Sequence, residues 1–337
     1  ITNGGGNGGG NGGGNGGGNG GGGNCNIVIE ASFVSFNDDC SVGTLEGQVN
    51  EDYTLIASVE WRLNGEVLVG DGNREIQSQA DVDDIKANGV TLSIEPGTHV
   101  RARNDGSLLV TRGSMLMAEG TASDPITFSS ASDDDFDGLG EWGGVIVQGF
   151  APQYGQGGTG ACFTDTQPWC NVIGEGGTVV GRYGGIDMDD NSGVIRYVRI
   201  AEGGRVAGPD NEINGLTLQG VGHATQLEFI QVHSNLDDGV EWFGGTANLR
   251  YVVLTNNDDD DIDYDEGYMG NVQYALVIKD PNADAPQGSN DPRAIEANSS
   301  DEDYTPETEA VLANVTIIGS DMNSAGDAAQ PGARLRG

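Results

Sequence analysis

Lysine is all but missing from this 337-residue chain: Lys86 and Lys279 are the only two, and lysine and arginine together number 15 against 52 aspartates and glutamates. A formal charge of −37 argues against nucleic acid or an anionic membrane surface as partner, since both need a basic face. Cysteine occurs four times and no Cys-x-x-Cys metal motif is present. No apolar run is long enough to span a bilayer. No signal-peptide pattern opens the chain, and a start at Ile1 is what a processed or truncated chain would show. No Ser-His-Asp set or phosphate loop stands out. The glycine-rich stretch Gly174-Glu175-Gly176-Gly177 does not follow a strand and open a helix, so a dinucleotide site is not indicated.

Glycine, in contrast, is abundant, at 58 residues. Residues 1–24 are an Asn-Gly-Gly-Gly repeat marked by Asn3, Asn7, Asn11, Asn15 and Asn19. Composition alone reads as a flexible linker. If such a tail is held in one position, its holder is a neighbouring subunit, with extended polyglycine II-like segments hydrogen-bonded side by side. The glycines beyond the tail fit a chain with a tight turn in every repeat.

Residues 194–279 repeat themselves. Ile195-Arg196-Tyr197-Val198-Arg199-Ile200 is echoed by Leu227-Glu228-Phe229-Ile230-Gln231-Val232, by Leu249-Arg250-Tyr251-Val252-Val253-Leu254 and by Val272-Gln273-Tyr274-Ala275-Leu276-Val277. The intervals are 32, 22 and 23 residues, as if the first coil carried an extra loop. An offset set, Gly215-Leu216-Thr217-Leu218, Gly239-Val240-Glu241-Trp242 and Asp261-Ile262-Asp263-Tyr264, keeps the same period. Alternating β-branched and aromatic segments, two per repeat and with no 3.6-residue apolar period, predict an all-β, right-handed parallel β-helix of about 22–24 residues per coil. Like residues then stack at about 4.8 Å, so Tyr197, Phe229, Tyr251 and Tyr274 are expected to form an aromatic ladder in the core.

Along the chain, residues 25–89 read as a small N-terminal β cap, with Asn64-Gly65 as a hairpin turn. Residues 90–337 read as the β-helix, with loops ejected at about 149–192 and 280–310. Cys25 with Cys40 and Cys162 with Cys170 are the local pairings that loop closure favours for disulfides, as an exported protein would carry.

Glu95-Pro96-Gly97-Thr98, Glu141-Trp142-Gly143-Gly144-Val145, the run Asp237–Thr246 (DDGVEWFGGT) and Asn257-Asp258-Asp259-Asp260 resemble a family of secreted or lipid-anchored, mostly uncharacterised bacterial β-helix proteins. The resemblance covers roughly residues 90–337 and implies a right-handed β-helix, export to the cell surface or beyond, and no established catalysis.

Acidic residues are the strongest site candidates. Asp237-Asp238 and Asp259-Asp260 lie 22 apart, and Glu241 falls above Asp263 by the same count. Stacked carboxylates repel, so they raise one another's pKa or recruit a cation. Asp258, Asp259, Asp260, Asp261, Asp263 and Asp265 concentrate hard oxygen donors in one turn, the chemistry of Ca²⁺, although no loop completes the EF-hand pattern. Asn235 and Asn257 share the same interval and predict an asparagine ladder. A polysaccharide hydrolase or lyase would need paired acids with a Gly-His-Gly and Arg-x-Lys, or a base beside them. Gly222-His223 lacks those followers, so an enzyme is not the favoured reading. The sequence-level expectation is an extracellular structural protein that polymerises with itself through its tail and coil ends, with Ca²⁺ screening the charge. The alternatives are a glycan-binding adhesin using Trp142, Trp169 or Trp242, and a polysaccharide-degrading enzyme.

Overall fold

Strands in this chain come as joined pairs. Gln226–His233, Asn248–Thr255 and Asn271–Ile278 each turn at one residue: Phe229, Tyr251 and Tyr274 sit at φ 54°, 59° and 61°. Pairing between neighbours is parallel and in register on both sides of that corner, Leu227 opposite Leu249 and Ile230 opposite Val252, and skips the corner itself. One left-handed residue thus divides each pair between two faces of a solenoid. In the computed structural model the described residues are 30–132, 134–155, 169–177, 179–208, 211–280, 292–300, 304–319 and 332–336. Among them twenty strands join into one hydrogen-bonded system.

That system has three parallel faces. The first runs from Tyr53–Leu55 through Thr91–Ile94 and Met115–Glu119 into the leading halves of the cornered strands. The second runs through His99–Ala102 and Ile126–Ser130 into their trailing halves. The third stacks Ser107–Val110, Val145–Gln148, Leu216–Gln219, Val240–Phe243, Ile262–Asp265, Ile295–Asn298 and Ala333–Arg336. Inward side chains form ladders such as Ile195-Leu227-Leu249-Val272 and Leu218-Trp242-Tyr264, all buried. Each coil contributes apolar area to one continuous core, at roughly 25 cal/mol per Å² removed from water.

The parallel β-helix expected from the repeat is therefore present, with four differences in detail. First, among the described residues parallel stacking begins at Val42, where Val42–Val49 pairs with Glu60–Val69, so the strands between Val42 and Val69 belong to coils rather than to a separate cap. Only Val34–Phe36 lies antiparallel across the first coil. There Phe33, Phe36, Tyr53 and Trp61 make edge-to-face contacts at 5.3–5.9 Å. Second, Asn64-Gly65 is no hairpin: Glu60–Val69 runs through it and pairs parallel on both sides, with Gly65 at φ 72° as a corner. Third, a helix, Gln79–Ala87, interrupts the strands. Ser78 caps it by accepting from Asp81 N, and Ile85 is its buried contact. Fourth, the segment 280–310 is not wholly ejected, because Ile295–Asn298 returns to the third face.

The aromatic ladder also forms, but outside the core. Tyr197-Phe229, Phe229-Tyr251 and Tyr251-Tyr274 stack at 4.5, 4.6 and 5.0 Å with planes within 8° of parallel, while Tyr251 and Tyr274 are 40% and 45% exposed. A left-handed corner points its Cβ away from the solenoid axis, which overrides simple inside–outside alternation. Each stacked pair contributes about 1 kcal/mol, comparable to the roughly 1–2 kcal/mol that a non-glycine residue loses in that conformation.

The 32-residue interval does carry an extra loop, a small hairpin of Val206–Gly208 and Asn211–Glu212. Within 149–192 the strands Val172–Ile173 and Arg182–Tyr183 pair antiparallel. Arg112, fully buried, pins that insert to the coils. Its guanidinium donates to Gly72 O, Cys170 O, Gly184 O and Arg74 O at 2.5–3.0 Å. The Asn tail residues Asn3, Asn7, Asn11, Asn15 and Asn19, and also Cys25 and Cys162, lie outside the described residues. No cysteine among the described residues is free.

Candidate functional site

A single outward row on the third face organises the site. Register places Leu68, Leu109, Ile146, Thr217, Glu241, Asp263, Glu296 and Arg334 one above another through eight coils. Every second residue of a strand faces outward, so the row repeats once per coil. Its character changes along the axis. The apolar end is roofed by Val180 and Ile213 from the two inserted loops. The acidic middle follows, and then guanidinium. The same loops bring two more carboxylates over the middle. Glu175 is anchored by Gln219 Nε2 donating to its carbonyl at 2.7 Å, and Gly176 N donates to Asn211 Oδ1 at 2.9 Å beside Glu212.

Turns one coil apart add the aspartates. Ligand oxygens of Asp237, Asp238 and Asp259 converge within 4.8 Å of one another, and so do those of Asp238, Glu241 and Asp263. Asp238 belongs to both groups. One of its carboxylate oxygens accepts from Asp260 N at 2.9 Å, and Asn214 Nδ2 donates to Glu241 at 2.5 Å. Asp263 Oδ1 and Asp265 Oδ1 are enclosed and have no hydrogen-bond donor among the described residues. An edge of each of these two residues reaches solvent, yet their carboxyls are crowded by protein.

Desolvation and like charge act together here. Burial, then the charge of Asp259, holds the Asp237 carboxyl well above its ordinary range. Burial and Asp237 do the same to Asp238, burial and Glu175 to Glu241, and burial and Glu266 to Asp265. Burial pushes Asp263 up to about 7 against the opposing pull of Tyr264 N–H and Arg336. Burial and Glu212 raise Glu175 to about 7. A cation would relieve this repulsion. Two oxygens bound to one Ca²⁺ at about 2.3–2.6 Å lie at most about 5 Å apart, so both groups have the span and the hard-oxygen chemistry that Ca²⁺ takes.

Of the aspartates singled out by spacing, Asp237, Asp238, Asp259 and Asp263 come together, and Asp265 lies on the same strand as Asp263. Asp261 does not: Asn257 Nδ2 and Lys279 Nζ hold its carboxylate inside the coil at 2.9 and 2.8 Å. Asp260 accepts from Arg293 N at 2.5 Å, and burial with Asp259 pushes it to about 8. The N–H of Asp258 donates to Asn235 O, a turn contact. The expected loop Asp261-x-Asp263-x-Asp265 therefore splits, its first member serving the coil and the others facing out. Asn235 and Asn257 meet one coil apart through a backbone contact, Asn235 N donating to Asn257 Oδ1 at 3.1 Å, while their own side-chain amides donate to Asp238 O and Asp261.

Spacing gave no sign of Glu175 and Glu212, which arrive through loops. Glu296 and the two arginines could have been found only by extending the row past the proline-rich insert. Arg336 and Arg334 pair with Glu296, so the acidic face does have basic neighbours. Tyr183 donates to Glu266 at its flank. Trp142 and Trp242 are closed within the core and offer no stacking surface, while Trp169 packs against the small cluster of Ile76, Ile85 and Phe150.

A family model described as a pectate-lyase-like β-helix domain matches residues 47–336. Neither curated proteins nor solved structures yield a match to this chain.

Proposed function

The chain belongs to the pectate-lyase-like β-helix family, and on that premise we propose that its acidic row loads Ca²⁺ and through it holds an acidic, uronate-bearing polysaccharide outside the cell. One observation carries this reading: Asp238, Glu241 and Asp263 converge within 4.8 Å while Asp263 Oδ1 and Asp265 Oδ1 have no donor among the described residues. A chain of charge −37 repels an anionic glycan, and a bound divalent ion reverses the sign locally. When bound, Ca²⁺ supplies charge neutralisation and a coordination position for a substrate carboxylate. The chain's own contribution is orientation: Asn214 fixes Glu241, and Arg334 and Arg336 stand on the same face to meet glycan carboxylates.

The test is calorimetric titration of Ca²⁺, followed by electrophoresis through gels containing polygalacturonate. Saturable Ca²⁺ binding lost in Glu241→Gln, with retardation abolished by EDTA, supports the proposal. Absence of Ca²⁺ binding by the folded protein ends it. Release of unsaturated sugar ends, lost in Arg336→Ala, would extend the proposal from binding to lyase chemistry.

A second reading, a homopolymeric extracellular filament, draws on a separate observation. Val311, Ile318 and Leu335 are 56%, 51% and 73% exposed on strands Val311–Ile318 and Ala333–Arg336, a surface that another parallel coil would cover. Electron microscopy of the purified protein distinguishes filaments from single rods.

A further inference from the structure

A different face carries a second concavity. The outer side of the first sheet holds a groove of about 460 Å³, within the usual range for a ligand site. Its floor is made of rows one coil apart. In one row Glu228, Arg250 and Gln273 are in register. In the other, Gln226 lies opposite Asn248, and Asn271 continues the line by donating to Asn248 Oδ1 from both N and Nδ2, at 3.0 and 2.6 Å. Glu228 pairs with Arg250, so the floor is close to neutral on a chain that is otherwise strongly acidic. The side-chain amides of Gln226 and Gln273 open into the groove with no partner among the described residues. Along one edge run the corner aromatics, whose mutual stacking hides their faces and leaves the edges of Tyr251 and Tyr274 toward solvent.

We infer that this groove binds a neutral, hydroxyl-rich glycan strand laid along the solenoid axis. An amide offers a donor and an acceptor side by side, and here amides recur at the coil spacing of about 4.8 Å, which suits a polymer of repeating hydroxyls. A peptide or lipid would need deep apolar anchor pockets, whereas the apolar lining here, Leu227, Val272, Val311 and Ala313, is interspersed with amides and the Glu228–Arg250 pair. An anionic polymer would meet the long-range repulsion of the chain with no carboxylate cluster here to hold a bridging cation. This site is independent of the acidic row: it lies on another face and needs no metal.

Affinity electrophoresis in EDTA, through gels holding hydroxyethyl cellulose, xyloglucan, galactomannan or dextran, tests it. At least one of the four neutral polymers should retard the wild-type chain. Gln226→Ala combined with Gln273→Ala removes two hydrogen-bonding amides, so association should weaken roughly tenfold. Neither residue is part of the core, and an unchanged circular dichroism spectrum confirms that the fold persists. Glu241→Gln should bind the neutral polymer as the wild type does. No retardation by any of the four, or equal retardation of the double variant, overturns the inference.

Discussion

Replacing Asp263 by asparagine should stabilise the metal-free protein and weaken its response to Ca²⁺. In the native state the Asp263 carboxyl is raised from 3.8 to about 7. Three units at about 1.4 kcal/mol each amount to ~4 kcal/mol. Solvent at its edge and charge shared with Asp238 and Glu241 reduce this to roughly 2 kcal/mol. The sign follows from proton linkage. Between about pH 4 and 7 the folded protein holds a proton that the unfolded chain has released, so stability is fully present at low pH and is lost as pH rises through about 7. His99 and His233, which burial lowers, act oppositely: their contribution grows with pH and is complete above about 6.5. The informative comparison is therefore wild type against Asp263→Asn at pH 8, in EDTA, by thermal unfolding. At roughly 2 °C per kcal/mol for a chain of this size, the variant should melt about 4 °C higher. Ca²⁺ at a hundredfold excess over its dissociation constant adds about 2.7 kcal/mol to the wild type. It should raise the wild-type midpoint by about 5 °C at pH 8, by much less at pH 5 where the ligands are protonated, and should raise that of the variant by less than that of the wild type. A variant less stable than wild type in EDTA, together with a Ca²⁺ shift independent of pH, would refute the account of a repelling cluster that a cation relieves.

Three further outcomes are expected. Arg112→Met strands four buried carbonyls on the insert and the adjoining coils, and should lower stability by about 3 kcal/mol or more in urea unfolding. Lys279→Met leaves the Asp261 carboxylate buried without its ammonium, a loss of about 3–5 kcal/mol, and Asp261→Asn in the same chain should recover part of it. At the corner, Tyr251→Gly and Tyr251→Ala both lose the stack, but only glycine escapes the left-handed strain at φ 59°. The glycine variant should therefore be the more stable by about 1 kcal/mol, read from paired denaturation curves.

The coil repeat was legible in the sequence because a solenoid imposes it. Residues one turn apart occupy equivalent positions against the same neighbours, so apolar, aromatic and acidic residues recur at 22 or 23 positions, and Asp237 and Asp259 could be placed together without coordinates. The same logic located Glu241 above Asp263. It failed where local geometry departs from strand alternation. Nothing in the Tyr197-Phe229-Tyr251-Tyr274 pattern distinguishes an inward ladder from an outward one, and a single left-handed residue decided it. It failed again where inserts of irregular length break the count. Glu175 and Glu212 reach the acidic row through loops, and Glu296 rejoins the register beyond the proline-rich insert.

The sequence by itself determined the fold class, the stacking period and the concentration of carboxylates on successive turns, since each is a property of chemically like residues at a fixed interval. Only the tertiary structure decided which carboxylates share one site. Asp261 is claimed from within by Lys279 and Asn257, whereas Asp263, two residues on, faces outward beneath loops that exclude water. Desolvation and the placement of neighbouring charges depend on contacts between distant segments, and no local pattern encodes them.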